Sequence, residues 1–458
     1  MTVAKEIFKA YDIRGIVDKQ LTAESVHLIG KAIGSAAKAK GLKDIVVGRD
    51  GRLSGPMLAD ALTQGLRESG MNVIDVGMVA TPMLYFAAYQ FAQFTGVMVT
   101  GSHNPPEYNG FKIALGGETL SGDAIQDLRH RIDNNQFTQG DGSYRQADIE
   151  HLYLDTITKD IELKKPLKIV VDCGSGIPGR FAPTLYKQLG CEVIELFCEV
   201  DGHFPHHHPD PSQPENLVDL IACVKREKAD LGLAFDGDGD RLGVVTASGE
   251  IIYPDRQLML FAQDVLSRNP GATILFDVKC TRHLFSWIRG FKGEPVIWKT
   301  GHSLIKAKMK ETGALLAGEM SGHVFFKERW FGFDDGLYAG ARLLEILSQS
   351  TSNPSTTLES LPNSICTPEL QIQLNEGENK TLISALQEQG SFHQAKDILT
   401  LDGVRVEYQD GFGLARSSNT TPVVVLRFEA DNDSALTRIK EDFRVNILKV
   451  FPSAKLPF

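Results

Sequence analysis

The sequence lacks the marks of secreted and membrane proteins. Its six cysteines are scattered over 458 residues and form no Cys-x-x-Cys pair, so we interpret them as reduced thiols of a cytosolic protein. No segment approaches the roughly 18 consecutive apolar residues of a membrane helix. The N-terminal segment has no apolar signal region. We therefore expect a cytoplasmic protein without a membrane partner.

The chain also lacks an excess of positive charge. Its 48 Lys and Arg residues face 58 Asp and Glu residues, which gives a formal net charge of −10 at pH 7. Nucleic-acid backbones and anionic lipids attract the opposite sign, so we expect no nucleic-acid partner. The 42% hydrophobic and 23% charged composition is typical of soluble globular proteins. At roughly 100–200 residues per domain, the length predicts two to four domains.

Short apolar segments alternate with amphipathic ones over the first two thirds of the chain, which predicts α/β domains. Three polar loops directly follow strand-like segments: the serine loop (100–105), the acidic loop (236–241) and the imidazole loop (318–323). Ligands of open α/β sheets bind beyond the carboxyl ends of strands, so we expect these loops to meet in one cleft. A change of pattern near 363 predicts a smaller α+β domain. The predicted domains are 1–149, 150–251, 252–363 and 364–458.

The acidic loop carries the strongest local signal, Asp236-Gly-Asp238-Gly-Asp240-Arg241. Its glycines permit the bending that brings alternate carboxylates together, and such hard oxygen ligands suit Mg²⁺, Mn²⁺ or Ca²⁺. An EF-hand is excluded because Arg241 stands where that motif requires glycine. The three aspartates are therefore predicted to bind a divalent cation.

The other loops offer groups for a phosphorylated polyol. Ser102 could be a nucleophile or carry a phosphoryl group, with Lys112 close enough to reach it, although such turns are often structural. In the imidazole loop, a carboxylate, a hydroxyl and an imidazole suit sugar hydroxyls. A fourth segment, the arginine loop (416–422), combines Arg416 with hydroxyl and amide donors in a phosphate-sized turn. Arg49 and Arg52 are weaker signals of a positive lining.

Two further motifs favour structural roles. The Gly174–Gly179 segment matches G-x-G-x-x-G, which leaves a nicotinamide-dependent oxidoreductase as an alternative, but Pro178 is awkward in that turn. The run His206–His208 resembles a metal cluster. Adjacent side chains point in different directions and three prolines surround the run, so we interpret it as an extended loop.

Together with Lys9-Ala-Tyr-Asp-Ile-Arg14-Gly, these motifs resemble in their order the α-D-phosphohexomutase family over essentially the whole chain. The resemblance implies three related mixed α/β domains plus a C-terminal α+β domain, similar to the TATA-binding-protein fold, around a central cleft. It also implies an isomerase that reversibly interconverts the 1- and 6-phosphates of mannose and glucose. The route would pass through a phosphoserine enzyme and a hexose 1,6-bisphosphate intermediate.

The resemblance assigns roles to individual residues. Ser102 would be the phosphoserine, and its phosphate would bind Mg²⁺ together with Asp236, Asp238 and Asp240. The further catalytic candidates are Arg14, Lys112, Arg241 and His302, of which Lys112 or His302 could accept a proton. The substrate-binding candidates are Tyr11, Lys279, Glu319, Ser321, His323, Arg416, Ser418, Asn419 and Thr420.

The expected partners are sugar phosphates, with glucose 1,6-bisphosphate as activator, and the expected state is a monomer. Two alternatives stay open beside the oxidoreductase. One is a mutase acting on glucosamine phosphate, because the residues of the imidazole loop indicate only neighbouring hydroxyls. The other is a non-catalytic protein that binds sugar phosphates, although such a binder does not need Ser102, Lys112 and three aspartates.

Overall fold

The structure is a computed structural model that describes residues 3–418 and 421–458. Over these residues the strands form four sheets that follow one another along the chain. We call the segments that contain them the first (13–146), second (150–252), third (254–359) and fourth (365–450) units. No helix in the described part of the chain is long and apolar enough to cross a membrane.

The first unit contains a six-stranded mixed sheet. Its elements are β1 (Ile13–Ile16), α1 (Ala23–Ala39), β2 (Asp44–Arg49), α2 (Gly55–Glu68), β3 (Asn72–Met78), α3 (Thr81–Phe91), β4 (Gly96–Val99), β5 (Tyr108–Ala114), α4 (Asp123–Asp133) and β6 (Tyr144–Gln146). The strand order is β1-β5-β4-β2-β3-β6. Thr22 and Ser25 start α1 by exchanging side-chain and backbone hydrogen bonds in a capping box. The next helix crosses α1 closely because Gly30 and Gly65 leave no side chain between the two backbones.

The second unit contains a five-stranded sheet. Its elements are α5 (Glu150–Asp160), β7 (Lys168–Asp172), α6 (Ala182–Gln188), β8 (Glu192–Leu196), α7 (Val218–Glu227), β9 (Leu231–Phe235), β10 (Leu242–Thr246) and β11 (Ile251–Ile252). The strand order is β11-β10-β9-β7-β8. All five residues of β9 are buried, as expected for a central strand covered on both faces. The short β11 spans the domain boundary predicted at 251, and that boundary stays a prediction.

The third unit contains a four-stranded sheet. Its elements are α8 (Pro254–Arg268), β12 (Thr273–Asp277), α9 (His283–Gly290), β13 (Glu294–Trp298), α10 (His302–Thr312), β14 (Leu316–Gly318), β15 (Val324–Phe326), α11 (Gly336–Gln349) and α12 (Pro354–Glu359). The strand order is β13-β12-β14-β15. The three α/β units share one arrangement. In each, a strand with a parallel neighbour (β4, β9 or β14) is followed by a strand that pairs with it antiparallel (β5, β10 or β15). These connections contain the serine, acidic and imidazole loops.

The fourth unit is an antiparallel sheet covered by two helices. Its elements are β16 (Ile365–Cys366), β17 (Leu370–Gln373), α13 (Glu378–Gln389), β18 (Asp397–Leu399), β19 (Val404–Glu407), β20 (Gly411–Ser417), β21 (Val423–Ala430) and α14 (Asp433–Val450). The strand order is β16-β21-β20-β19-β18, and β17 also pairs with β21. The predicted fold class, three mixed α/β domains followed by an α+β domain, is thereby confirmed.

One apolar core runs through the first three units, whereas the fourth has its own. Phe86 of α3 stacks on Trp330 with ring centroids 5.9 Å apart, and Trp330 stacks on Tyr338 of α11 at 4.2 Å. The fourth unit contacts the third through Arg405, which donates hydrogen bonds to the carbonyl oxygens of Val278 and Cys280. The first three units therefore form one body, and the fourth packs against it.

Candidate active site

A cleft of about 800 Å³ lies where the four units meet. It is lined by predicted site residues from every unit: Tyr11, Arg14, Ser102, Lys112, Arg241, Lys279, His302, Glu319, Ser321, His323, Arg416 and Ser418. The predicted residues Asn419 and Thr420 lie outside the residues that the structure describes. The convergence of the strand-end loops, expected from the sequence, is thus observed.

Ser102 is held against the acidic loop. Its backbone has a φ of +49°, and its N–H donates a hydrogen bond to the Thr100 hydroxyl at 2.8 Å. The Ser102 hydroxyl is buried, donates to Oδ2 of Asp236 at 3.1 Å and lies 3.1 Å from Nδ1 of His103. Residues that are 134 positions apart in the sequence are thus in direct contact.

The acidic loop is folded by its own first carboxylate. Oδ1 of Asp236 accepts hydrogen bonds from the N–H groups of Gly239 and Arg241, both at 3.1 Å. A Cβ atom at Gly237 would clash with the Ser102 carbonyl oxygen, and Gly239 has a φ of +79°. The two glycines therefore allow both the tight turn and the close approach of the serine loop.

The three aspartates fit a divalent cation. One oxygen from each of Asp236, Asp238 and Asp240 lies within 4.8 Å of the others, and all three residues are buried. Burial raises the pKa of Asp236 well above its usual range, and the charges of Asp238 and Asp240 raise it further. Within the described part of the chain, Oδ1 of Asp238 is buried without a hydrogen-bond partner. A cation bound here would offset this repulsion and satisfy that oxygen.

Lys112 supplies positive charge to the same group. Its ammonium lies 2.7 Å from Oδ2 of Asp238 and also contacts Asp240. Arg241 also approaches this group, with Nε 3.7 Å from Oδ2 of Asp236. Both cations thus lie beside the carboxylates and line the cleft.

The imidazole loop is connected to the acidic loop through His323. Nδ1 of His323 lies 2.9 Å from Oε2 of Glu319 and 3.0 Å from the Ser321 hydroxyl, while Nε2 lies 3.2 Å from Oδ1 of Asp240. Burial alone would lower the pKa of His323, but the carboxylates of Asp240 and Glu319 raise it to about 9. The N–H of Gly301 also donates to Oε1 of Glu319 at 2.5 Å. The groups predicted to bind sugar hydroxyls therefore form one connected set.

Positive side chains at the other end of the cleft are held by acids at the boundary between the third and fourth units. Asp402 accepts hydrogen bonds through Oδ2 from Nε of Arg416 at 3.1 Å and from the N–H of Thr300 at 2.9 Å. Lys279 of the third unit pairs with Glu369 of the fourth at 3.1 Å. Nη2 of Arg416 is buried and has no hydrogen-bond partner among the residues that the structure describes, so it is available to an anion.

The N-terminal segment brings Tyr11 and Arg14 to the same cleft. Arg14 donates a hydrogen bond to Oδ1 of Asn104 in the serine loop at 2.7 Å. The ring of Tyr11 packs edge-on against His302 with centroids 5.5 Å apart. Burial, together with the charge of Lys306, holds the pKa of His302 well below its usual range. His302 is therefore a neutral imidazole at neutral pH.

Two contacts of the site were not predicted from the sequence. Thr81, at the start of α3, donates from its hydroxyl to Oδ2 of Asp238 at 2.5 Å. Asp334 faces His302, with Oδ2 3.6 Å from Nδ1, and pairs with Lys306 at 2.7 Å. Asp334 lies outside the conspicuous motifs. For Thr81 a weak signal existed, because Thr-Pro follows β3 after two intervening residues and the proline can begin a helix.

The glycines of the Gly174–Gly179 segment allow close packing of this segment against its neighbours, including the acidic loop. Gly174 has a φ of +49°, and a Cβ atom at Gly176 would lie 2.9 Å from Cα of Gly237 in the acidic loop. In the neighbouring histidine run, His206 stacks on Phe197 with centroids 4.1 Å apart. The candidate metal groups among the described residues include no histidine of that run.

The protein is built from three α/β units and one α+β unit, and acidic and basic groups from them face one cleft. This architecture defines a class of multidomain protein that can bind a cation beside an anionic ligand. Four family models match the chain. They describe domains I, II and III (alpha/beta/alpha) and the C-terminal domain of phosphoglucomutase/phosphomannomutase, and they match residues 5–139, 151–249, 253–365 and 369–445. The chain belongs to the phosphoglucomutase/phosphomannomutase family.

Individual relatives agree along the whole chain. The phosphomannomutase/phosphoglucomutase of Pseudomonas aeruginosa is 60% identical over 100% of this chain and 98% of its own length. The phosphoglucomutase of Neisseria gonorrhoeae is 60% identical over 97% of both chains. A crystal structure of a phosphoglucomutase/phosphomannomutase family protein from Burkholderia thailandensis superposes with a TM-score of 0.96 at 58% identity, with 100% of both chains covered.

Proposed function

We propose that the protein is a hexose phosphate mutase that interconverts the 1- and 6-phosphates of mannose and glucose. The observation that carries the proposal is the contact between the Ser102 hydroxyl and Asp236 within a buried group of three aspartates. Family membership and the names of relatives that match end to end support the same activity. The reaction is an isomerisation by intramolecular phosphoryl transfer.

Ser102 carries the phosphoryl group in this proposal. Its hydroxyl lies at the edge of the cleft, next to carboxylates that would repel a phosphate unless a cation lay between them. Asp236, Asp238 and Asp240 would hold Mg²⁺, which supplies positive charge to the transferred group. Lys112 and Arg241 are positioned to stabilise negative charge on the same group.

The remaining groups bind and orient the sugar phosphate. Arg416 and Lys279, with Ser418, Asn419 and Thr420 of the arginine loop, hold the phosphate that does not react. Glu319 and Ser321 bind sugar hydroxyls. Both candidate proton acceptors line the cleft. Lys112 contacts two carboxylates, whose charges raise its pKa, whereas burial lowers the pKa of His302. We therefore favour His302 as the group that accepts the proton of the attacking hydroxyl.

The substrate must present both of its ends to Ser102 in turn. In this proposal phospho-Ser102 gives its phosphoryl group to a hexose monophosphate, and the 1,6-bisphosphate reorients before it returns the other phosphoryl group. In this proposal the fourth unit, which has its own core, moves relative to the body formed by the first three. Such movement would let one phosphate pocket accept either end of the sugar.

A coupled assay tests this function. Conversion of mannose 1-phosphate, glucose 1-phosphate and glucosamine 1-phosphate is compared in the presence of Mg²⁺ and trace glucose 1,6-bisphosphate, for the native chain, Ser102→Ala and Ser286→Ala. Ser286 is a matched control because it is an exposed serine of α9. We expect turnover of the first two sugars and a loss of at least about 100-fold, or about 2.7 kcal/mol, in Ser102→Ala alone. Turnover of only the amino sugar, or full activity of Ser102→Ala, would contradict the proposal.

A further inference from the structure

A buried arginine lies behind the serine loop. Arg52, between β2 and α2, is 1% exposed and does not line the cleft. Its Nη1 donates hydrogen bonds to the carbonyl oxygens of Pro105 and Tyr108 at 2.6 and 2.9 Å. Its Nη2 donates to the carbonyl oxygens of Ser102, at 2.9 Å, and Asn104. One guanidinium therefore binds four carbonyl groups of the segment that carries Ser102.

Asp50 also binds the serine loop. Its Oδ1 accepts a hydrogen bond from the N–H of Arg52 at 3.0 Å, and its Oδ2 accepts from the Thr100 hydroxyl at 2.7 Å and the Gly101 N–H at 3.2 Å. The Thr100 hydroxyl in turn accepts from the N–H of Ser102. Asp50 and Arg52 thus fix the serine loop on both sides of Ser102.

The fit around the guanidinium is tight. A Cβ atom at Gly101 would clash with Cζ and Nε of Arg52, and Cζ of Arg52 lies 5.1 Å from the centroid of the Phe204 ring. Ser102 itself adopts a φ of +49°, a conformation that serine adopts only when its surroundings impose it. The contacts of Arg52 supply those surroundings.

We propose that Arg52 is a positioning residue for phosphoryl transfer, acting through the backbone of the serine loop. By binding four carbonyl oxygens behind the loop, it keeps their partial negative charges directed away from the transferred phosphoryl group. It also holds the Ser102 hydroxyl beside Asp236. The sequence suggested a positive lining at this position, but the guanidinium is occupied by protein oxygens and does not reach the cleft. This inference rests on the proposed role of Ser102.

Arg52→Lys tests the role of the planar guanidinium. Lysine has three donors on one nitrogen and cannot bind four carbonyl groups in one plane. Because a displacement of about 1 Å in an active site can cost about 100-fold in rate, we expect kcat to fall by about that factor. KM for glucose 1-phosphate should change by less than about threefold, because no substrate contact is lost. The rate at which phospho-Ser102 transfers its phosphoryl group to glucose 1-phosphate, measured by intact-protein mass spectrometry, should fall in the same variant.

Arg67→Lys is the matched control, because Arg67 of α2 also donates to a backbone carbonyl oxygen, that of Gly142, but does not line the cleft. This control should keep the native kcat. A second variant, Arg52→Ala, is assayed with added guanidinium or methylammonium. Guanidinium should restore part of kcat, whereas methylammonium should not, since only the planar cation can replace the lost donors. If Arg52→Ala does not fold, Arg52→Lys still decides the question.

Three outcomes would overturn the inference: a native kcat in Arg52→Lys, a rise in KM with unchanged kcat, or losses that follow only the amount of folded protein. Failure of the proposed function is distinguishable from these. Full activity of Ser102→Ala would remove the phosphoserine role itself. An inactive Ser102→Ala beside a fully active Arg52→Lys would remove only the role of Arg52.

Discussion

Nε2 of His323 lies 3.2 Å from Oδ1 of Asp240, so the imidazole loop of the third unit contacts the acidic loop of the second. On its other side the imidazole contacts Glu319. The groups expected to bind sugar hydroxyls are therefore joined to those expected to bind the cation through one ring. A change at this ring should affect both stability and activity.

His323→Asn removes the cationic partner of two buried carboxylates. Loss of one partner from a buried ion pair typically costs about 3–5 kcal/mol, so the melting temperature should fall. We also expect kcat to decrease by at least about 100-fold, because Glu319 and Asp240 lose their shared contact. Calorimetry and the coupled assay measure both effects. His130→Asn, at an exposed position of α4, should change neither, and an equal effect there would refute the explanation.

Lys112→Met should make the stability of the protein more dependent on a divalent cation. Without a metal, Lys112 is the cation that contacts both Asp238 and Asp240. The variant should melt at a lower temperature in EDTA and gain more than the native chain when Mg²⁺ is added. A ligand at 100 times its Kd adds about 2.7 kcal/mol of stability. Equal melting temperatures with and without Mg²⁺ in both proteins would argue against a cation site.

Asp402→Asn should weaken substrate binding more than turnover. The substitution removes the charge that holds Arg416 while leaving a side chain of similar shape. We expect KM to rise by about tenfold, equivalent to about 1.4 kcal/mol, with kcat changed by less than about threefold. Steady-state kinetics measure the split. The control is Asp410→Asn, which removes the pair that Asp410 forms with Arg438 of the fourth unit; neither residue lines the cleft. A fall in kcat alone would contradict the expected role.

Asp335→Asn should change how stability depends on pH. Burial raises the pKa of Asp335 to about 7, although Tyr153, Trp330 and the N–H of Tyr338 donate hydrogen bonds to it. The unfolded carboxyl group has a pKa of about 3.9. Its contribution to stability is therefore complete below about pH 4 and is lost as pH rises to about 7.

The neutral amide of Asp335→Asn avoids that loss, which amounts to at most about 4 kcal/mol for a difference of about three pKa units. Melting temperatures measured at about pH 5 and about pH 8 should therefore differ less in the variant than in the native chain. Asp141→Asn, at an exposed position, should leave the difference unchanged. An unchanged difference in Asp335→Asn would contradict the raised pKa.

The sequence predicted the site best where the chemistry lies in contiguous loops. The acidic loop could be located because its glycines and carboxylates alternate directly after an apolar strand, and the helix starting at His302 follows from its periodicity. The α+β character of the last unit was also visible in its alternating strands. These features depend on local backbone geometry, which adjacent residues determine.

The sequence could not predict contacts that depend on packing between units. Thr81 and Asp238 are 157 positions apart, and their hydrogen bond exists only because α3 of the first unit begins beside the acidic loop. The partner of Arg416 likewise depends on how the strands of the fourth unit are placed. For Arg52 the sequence indicated a positive charge near the site, but it could not predict that the guanidinium is buried among carbonyl groups.

The shared core of the first three units has a consequence for synthesis on the ribosome. Phe86 reaches its partner Trp330 only after 244 further residues have been added, which takes roughly 10–50 s at about 5–20 residues per second. During that time the apolar face of α3 has no complete partner surface. The nascent chain therefore carries exposed aromatic side chains through most of its translation, and chaperone binding to the emerging N-terminal segment should end when α11 leaves the ribosome.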